Sequence, residues 1–130
     1  MDNAIQRKIL IVDDDDFLID MYALKFSESG FEVHTAPGPE AALEKLQGGL
    51  APDILLVDIV MPKMDGFELL ENIKKNNLAS SAVKIILSNR NQSADIERGK
   101  ELGVSGYIVK ATSTPSEVIA HVCDIIQKKS

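Results

Sequence analysis

Ile54-Leu55-Leu56-Val57-Asp58-Ile59-Val60-Met61-Pro62-Lys63-Met64-Asp65-Gly66 is the stretch that decides the fold. Four aliphatic residues run straight into an acid, then into a loop punctuated by Pro62 and Gly66. A short, continuously apolar run bounded by turn residues predicts a strand buried on both faces, as in a parallel sheet covered by helices. Asp58 then falls at the strand's carboxyl end, where open parallel sheets place their ligand sites. A carboxylate is costly to bury unpaired, so other groups must accompany it there.

The same pattern occurs upstream. Residues 8–13, Lys-Ile-Leu-Ile-Val-Asp, form a second aliphatic run that ends in an acid. Asp14, Asp15 and Asp16 come next, as suits the first turn of a helix, and Phe17, Leu18, Met21 and Leu24 recur at helical spacing until Ser29-Gly30. Glu32–Ala36 alternates as a strand, and Pro37-Gly38-Pro39 opens a helix through about Gln47. After Gly66, Phe67, Leu70 and Ile73 mark a helix that fades at Asn76-Asn77, with Asp65 expected in the turn beside Gly66. Val83–Leu87 is a strand ending at Ser88, Ser93–Leu102 a helix weakened by Gly99, and Gly106–Val109 a strand ending at Lys110. Thr114 and Glu117 form a capping-box pattern around Pro115, ahead of a stripe of Val118, Val122 and Ile125 flanked by Ile119 and Ile126. Five strand–helix units joined by right-handed crossovers predict a doubly wound α/β fold with a five-stranded parallel sheet and five helices.

Composition narrows the function classes. The chain has 130 residues, 45% apolar and 26% charged, which suits one domain over residues 1–130. The net charge is −6 with no basic cluster, against direct nucleic-acid binding. No apolar run approaches the roughly 18 residues of a membrane span, and Met1 to Lys8 lacks the apolar segment of a signal peptide. Cys123 is the single cysteine, which fits a small core residue in a reducing cytoplasm.

Parallel strands share one carboxyl edge, and the strands of this chain lead there into Asp13 and Asp14, Asp58, Ser88 and Lys110. Each alone has an ordinary explanation: a helix cap, a strand-end acid, a turn serine, a lysine reaching solvent. Four strand ends of one sheet would have to converge by accident for all of these to hold. Clustered carboxylates repel unless a cation intervenes, and oxygen-only ligands suit a hard divalent ion. The predicted site is therefore one for Mg²⁺ and an incoming phosphoryl group.

Val12-Asp13-Asp14, Asp58-Ile59-Val60-Met61-Pro62, Met64-Asp65-Gly66, Ser88 and Gly106-Tyr107-Ile108-Val109-Lys110 together resemble the response-regulator receiver domains of two-component signalling, chemotaxis regulators among them. The resemblance covers a core from about Lys8 to Lys128. It implies the flavodoxin-like strand order 2-1-3-4-5. It also implies Asp58 as phosphoacceptor from a phosphohistidine of a sensor histidine kinase or phosphotransfer protein. Mg²⁺ would be held by Asp13, Asp14, Asp58 and the Val60 backbone carbonyl. Lys110 would pair with the acceptor and then with phosphoryl oxygens, Ser88 would bond the phosphoryl group, and Tyr107 would turn inward on activation. Such a protein catalyses only its own phosphorylation and dephosphorylation. Its downstream protein target would meet the fourth helix, fifth strand and fifth helix, and the resemblance allows a phosphorylation-dependent homodimer through that face.

Two positions depart from the family pattern. Asn89 stands where a small Ala or Gly is common, and Ala111 where Pro, after a cis peptide, usually succeeds the lysine. Rival functions fit less well. A haloacid-dehalogenase-type phosphatase wants a second acid two residues past its nucleophile, and Val60 is there. A flavodoxin-like electron carrier would place Asp13–Asp16 against a phosphate, and no P-loop or dinucleotide fingerprint occurs. A phosphorylation-independent interaction module is the alternative from another class, and the complete set of site residues argues against it. Met1 and the end at Ser130 favour a stand-alone receiver over one excised from a transcription factor or hybrid kinase.

Overall fold

In the computed structural model, residues 6–129 are described; the Met1 and Ser130 ends, on which the signal-peptide and stand-alone expectations partly rest, lie outside them. The aliphatic runs form the strands β1 (Lys8–Val12), β2 (Glu32–Ala36), β3 (Ile54–Val57), β4 (Val83–Ser88) and β5 (Gly106–Val109). All adjacent pairs are parallel, in the order β2-β1-β3-β4-β5. Between and after them run α1 (Asp16–Glu28), α2 (Pro39–Gln47), α3 (Gly66–Lys75), α4 (Ser93–Glu101) and α5 (Pro115–Lys129). A turn of 3-10 helix, Lys110–Thr112, succeeds β5, and the residue pattern does not signal it. The doubly wound, five-stranded architecture is the one expected.

The period of two along each strand divides the core. Ile9, Ile11, Ile54, Leu56, Ile85 and Leu87 face α1 and α5. Leu10, Val12, Leu55, Val57 and Ile86 face the opposite way, against α2 and α3. Residues from both sets are almost wholly buried, which is why β1 and β3 read as unbroken apolar runs. On α5, Val118, Val122, Ile125 and Ile126 are buried, the expected stripe. Cys123 is only partly buried, at the edge of that cluster.

The stripe on α1 differs from the expected one. Ile19, Tyr22 and Phe26 enter the core, while Phe17 and Leu24 are 76% and 59% exposed; Leu18 and Met21 are partly buried flanks. This helix carries apolar residues on most of its circumference, so spacing alone allows two faces. The face that wins has the larger side chains, and its Phe26 stacks edge-on against Phe31 at 5.2 Å.

The helix ends result from capping. Asp15 caps α1, accepting the Leu18 N–H at 3.1 Å, with Asp16 in the first turn. Asp65 is more than a turn residue: it caps α3 in a reciprocal box with Glu68. Thr114 and Glu117 form the expected box at α5. Gly99 has a packing reason: a methyl there would lie 3.0 Å from Val104 and 3.1 Å from Ile86, so glycine lets α4 lie close to the sheet.

Candidate functional site

Asp13, Asp14, Asp58, Ser88 and Lys110 come together at the carboxyl edge, with Asp15, Leu18, Val60 and Asn89 lining the same open cleft of about 350 Å³. Topology does this. The chain leaves β1 at Asp13, β3 at Asp58, β4 at Ser88 and β5 at Lys110, all on one edge of the sheet. Asp13 and Asp58 are buried to 3% and 6% exposure, and Ser88 completely, whereas Asp14 is exposed.

Burial of two carboxylates demands a cation, and Lys110 supplies it. Its Nζ lies 2.7 Å from Asp13 Oδ2 and 3.0 Å from Asp58 Oδ2. Burial alone would push the ammonium's pKa down; the hydrogen bond to Asp13 and the charges of Asp58 and Asp13 outweigh it, so the pKa is raised and the lysine is held charged. Backbone N–H groups take the remaining oxygens. Asp15 N donates to Asp13 Oδ1 at 2.9 Å, and Val60 N to Asp58 Oδ1 at 3.3 Å. Tyr22 of α1 is buried within electrostatic reach of this group, its pKa raised chiefly by burial and also by Asp13 and Asp58, against the lowering effect of Lys110.

Carboxylate oxygens of Asp13, Asp14 and Asp58 lie within 4.8 Å of one another. Three carboxylates against one ammonium leave two negative charges uncompensated. An all-oxygen donor set with that charge fits a hard divalent cation such as Mg²⁺. The loop geometry brings Asp58 to this place through a close contact: Gly66 N–H donates to the Ile59 carbonyl at 2.8 Å, folding the loop back over the strand end.

Ser88 Oγ accepts the Arg90 N–H at 3.2 Å and still has its own hydrogen to donate. Tyr107 is half-buried, and its hydroxyl donates to the Arg90 carbonyl. Arg90 in turn pairs with the buried Asp95 at 3.1 Å and lies 5.9 Å from the Phe67 ring. Arg98 of α4 stands 4.7 Å over the same ring and pairs with Glu71 of α3 at 3.1 Å. The segment after Ser88 is thus tied to β5, α3 and α4 together. The sequence does not reveal the Arg90–Asp95 pair; an arginine five residues before an acid in a loop–helix junction is too common a pattern to signal it. The Lys110–Ala111 peptide is trans, since no described residue has a cis bond.

The response regulator receiver domain model matches residues 9–122. The alkaline phosphatase synthesis transcriptional regulatory protein PhoP of Bacillus subtilis (strain 168) is 32% identical over 124 residues, covering 95% of this chain and 50% of that protein. The phosphate regulon transcriptional regulatory protein PhoB of Escherichia coli (strain K12) is 27% identical over 124 residues, covering 95% and 53%. The chain therefore spans about half the length of the curated relatives it matches. Among solved structures, the Vibrio cholerae chemotaxis protein CheY4 superposes with a TM-score of 0.85 at 26% identity, covering 93% of this chain and 99% of that one. A CheY-like receiver domain protein of Methanospirillum hungatei JF-1 gives 0.85 at 26%, covering 95% and 96%. Fold, acidic cluster and family match converge: the chain belongs to the response regulator receiver domains of two-component systems.

Proposed function

We propose that this chain is a phosphorylation-activated switch whose receiver unit spans about residues 8–128, with Asp58 as the phosphoacceptor. The observation that carries it is the pairing of Lys110 with both Asp13 and Asp58 beside a third carboxylate, Asp14. A carboxylate held at a strand end, with a cation on one side and a cleft on the other, is an aimed nucleophile.

In this mechanism an Asp58 oxygen attacks the phosphorus of a phosphohistidine on a sensor histidine kinase or phosphotransfer protein. The P–N bond breaks, and the imidazole leaves with its electron pair and takes up a proton. Lys110 transfers its hydrogen bond from the carboxylate to a phosphoryl oxygen, and Ser88 donates its hydroxyl to another. Asp13, Asp14, Asp58 and the Val60 carbonyl would hold Mg²⁺, which supplies neutralisation of the phosphoryl charge. Water later cleaves the P–O bond to Asp58 and resets the switch. Catalysis is confined to this chain's own phosphorylation and dephosphorylation.

Movement of Ser88 toward the phosphoryl group alters the Arg90 segment and, through the Arg90 carbonyl, Tyr107. The readout face is α4, β5 and α5. A depression of about 110 Å³ there is lined by Ile96, Lys100, Val104, Ser105, Gly106 and Tyr107, suited to a protein target or a second phosphorylated copy. Val60, 57% exposed at the cleft, and Phe17 at the start of α1 offer the phosphodonor protein an apolar contact. Among the described residues no helix is long and apolar enough to cross a membrane, in keeping with work in the cytoplasm.

Intact mass after incubation with a small-molecule phosphodonor tests this. The expected result is one phosphoryl adduct that requires Mg²⁺ and is lost in Asp58→Asn. Absence of any adduct would overturn the switch in favour of a constitutive interaction module.

A further inference from the structure

The side-chain oxygen of Asn89 accepts the Ala111 N–H at 2.7 Å, linking residues 22 apart in sequence. Asn89 directly succeeds Ser88, and Ala111 directly succeeds Lys110, so the bond joins the two segments that carry the hydroxyl and the ammonium of the site. These are also the two positions at which the chain departs from the common receiver pattern. The pairing accounts for both at once. An Ala or Gly at 89 offers no side-chain acceptor, and a proline at 111 has no N–H to give.

Two further observations give the bond a role. Asn89 is exposed and lines the cleft with Asp58, Ser88 and Lys110, so its carboxamide stands at the mouth of the site. The next residue, Arg90, is already fastened, its N–H on Ser88 and its carbonyl under the Tyr107 hydroxyl. Ser88–Arg90 is therefore tied to the β5 segment on both sides of Lys110, at Tyr107 and at Ala111.

We infer that Asn89 is a positioning residue: latched to Ala111, it fixes Ser88 relative to Lys110 and narrows the approach of water to a phosphoryl group on Asp58. The inference rests on Asp58 being the phosphoacceptor. The step it controls is hydrolysis. A water oxygen bonds to phosphorus, the P–O bond to Asp58 breaks with its electron pair returning to the carboxylate, and the water's proton leaves with inorganic phosphate or to solvent. With the latch in place the acyl phosphate is long-lived; without it, loop and water move more freely.

The bond itself is tested with no phosphodonor, by amide hydrogen exchange at Ala111 in wild type, Asn89→Ala and Asn89→Asp. Exchange is expected to be about fivefold faster in Asn89→Ala, the size of one ordinary hydrogen bond, and near wild type in Asn89→Asp, which keeps an acceptor oxygen. The consequence is tested by the decay of the phosphorylated mass in wild type, Asn89→Ala, Ala111→Pro and the double variant, with urea midpoints measured alongside to exclude loss of fold. Each single variant is expected to decay about fivefold faster, and the double variant no faster than either, because both remove one bond. Unchanged Ala111 exchange in Asn89→Ala overturns the latch, and so do single effects that multiply in the double variant. A labelled wild type with Asn89→Ala decaying at the same rate removes the positioning role and leaves the phosphoacceptor intact. A wild type that takes no phosphoryl group removes both.

Discussion

Gly66 stands against the backbone of Asp58: a Cβ placed on it would lie 2.3 Å from the Asp58 carbonyl oxygen and 2.9 Å from the Ile59 Cα. Both obstructing atoms are main chain, so no side-chain rotation relieves them. Gly66 is here for space, since it opens α3 under the strand end that carries Asp58. Gly66→Ala must push the loop off Asp58, and an overpacked contact of this kind costs about 1–3 kcal/mol. Urea unfolding should show that loss, and phosphodonor labelling should slow because the carboxylate is displaced. A variant with wild-type stability and labelling would refute the contact.

Lys110 is 10% exposed at its side chain, between two carboxylates that are more buried still. Lys110→Ala leaves them facing each other without a cation, which destabilises by on the order of 3 kcal/mol in chelator. Added Mg²⁺ should restore part of the loss, since it neutralises the same oxygens, while coupling of phosphorylation to partner binding stays broken. The pH sign is that of a raised lysine. Its contribution is complete below the ordinary 10.5 and is lost only as pH climbs through the higher folded value. The gap between wild type and Lys110→Ala should therefore hold across neutral pH and close only in strong alkali. Urea midpoints in chelator and in Mg²⁺ measure both effects.

Asp14 makes the complementary case. It is exposed, shares the acidic cluster with Asp13 and Asp58, and α1 is capped by Asp15 instead. Without a divalent ion it contributes repulsion, so Asp14→Asn should be more stable than wild type in chelator, by about 0.5 kcal/mol given its solvation. In Mg²⁺ the order should reverse, because the ligand lost weakens ion binding and with it the linked stabilisation. A variant less stable than wild type in chelator would mean that Asp14 is structural.

Most of this site is legible in the residue order, and the reason is periodicity. A strand buried on both faces announces itself as an unbroken apolar run, so Val57 and Val12 mark strand ends and the next residues, Asp58 and Asp13, mark the edge. Contact between segments remote in sequence leaves no such trace. Nothing in Asn89 or Ala111 taken singly shows that one accepts from the other across 22 residues. The face of α1 is hidden because Phe17 and Leu24 are as apolar as Tyr22 and Phe26, and spacing alone does not say which of them is buried. Gly99 reads as a weakness in α4 and is a close approach to Ile86 and Val104.

The box at the start of α5 carries a pH signature of its own. Glu117 Oε1 accepts the Thr114 N–H at 2.8 Å, and Thr114 Oγ1 accepts the Glu117 N–H at 3.2 Å. The Thr114 backbone bond first, and its side chain second, hold the Glu117 carboxyl below its ordinary 4.5. A depressed acid contributes stability above the unfolded value and loses it as pH falls through the folded one. Glu117→Ala should lower the urea midpoint at neutral pH, and the difference from wild type should vanish once both proteins are well below the range in which Glu117 titrates. Because the carboxyl is fully exposed, the effect is small, but it falls on the helix that would form one side of the readout face. A gap that stays constant into acid would show that the Glu117 side chain acts through helix propensity and leaves Thr114 uncapped.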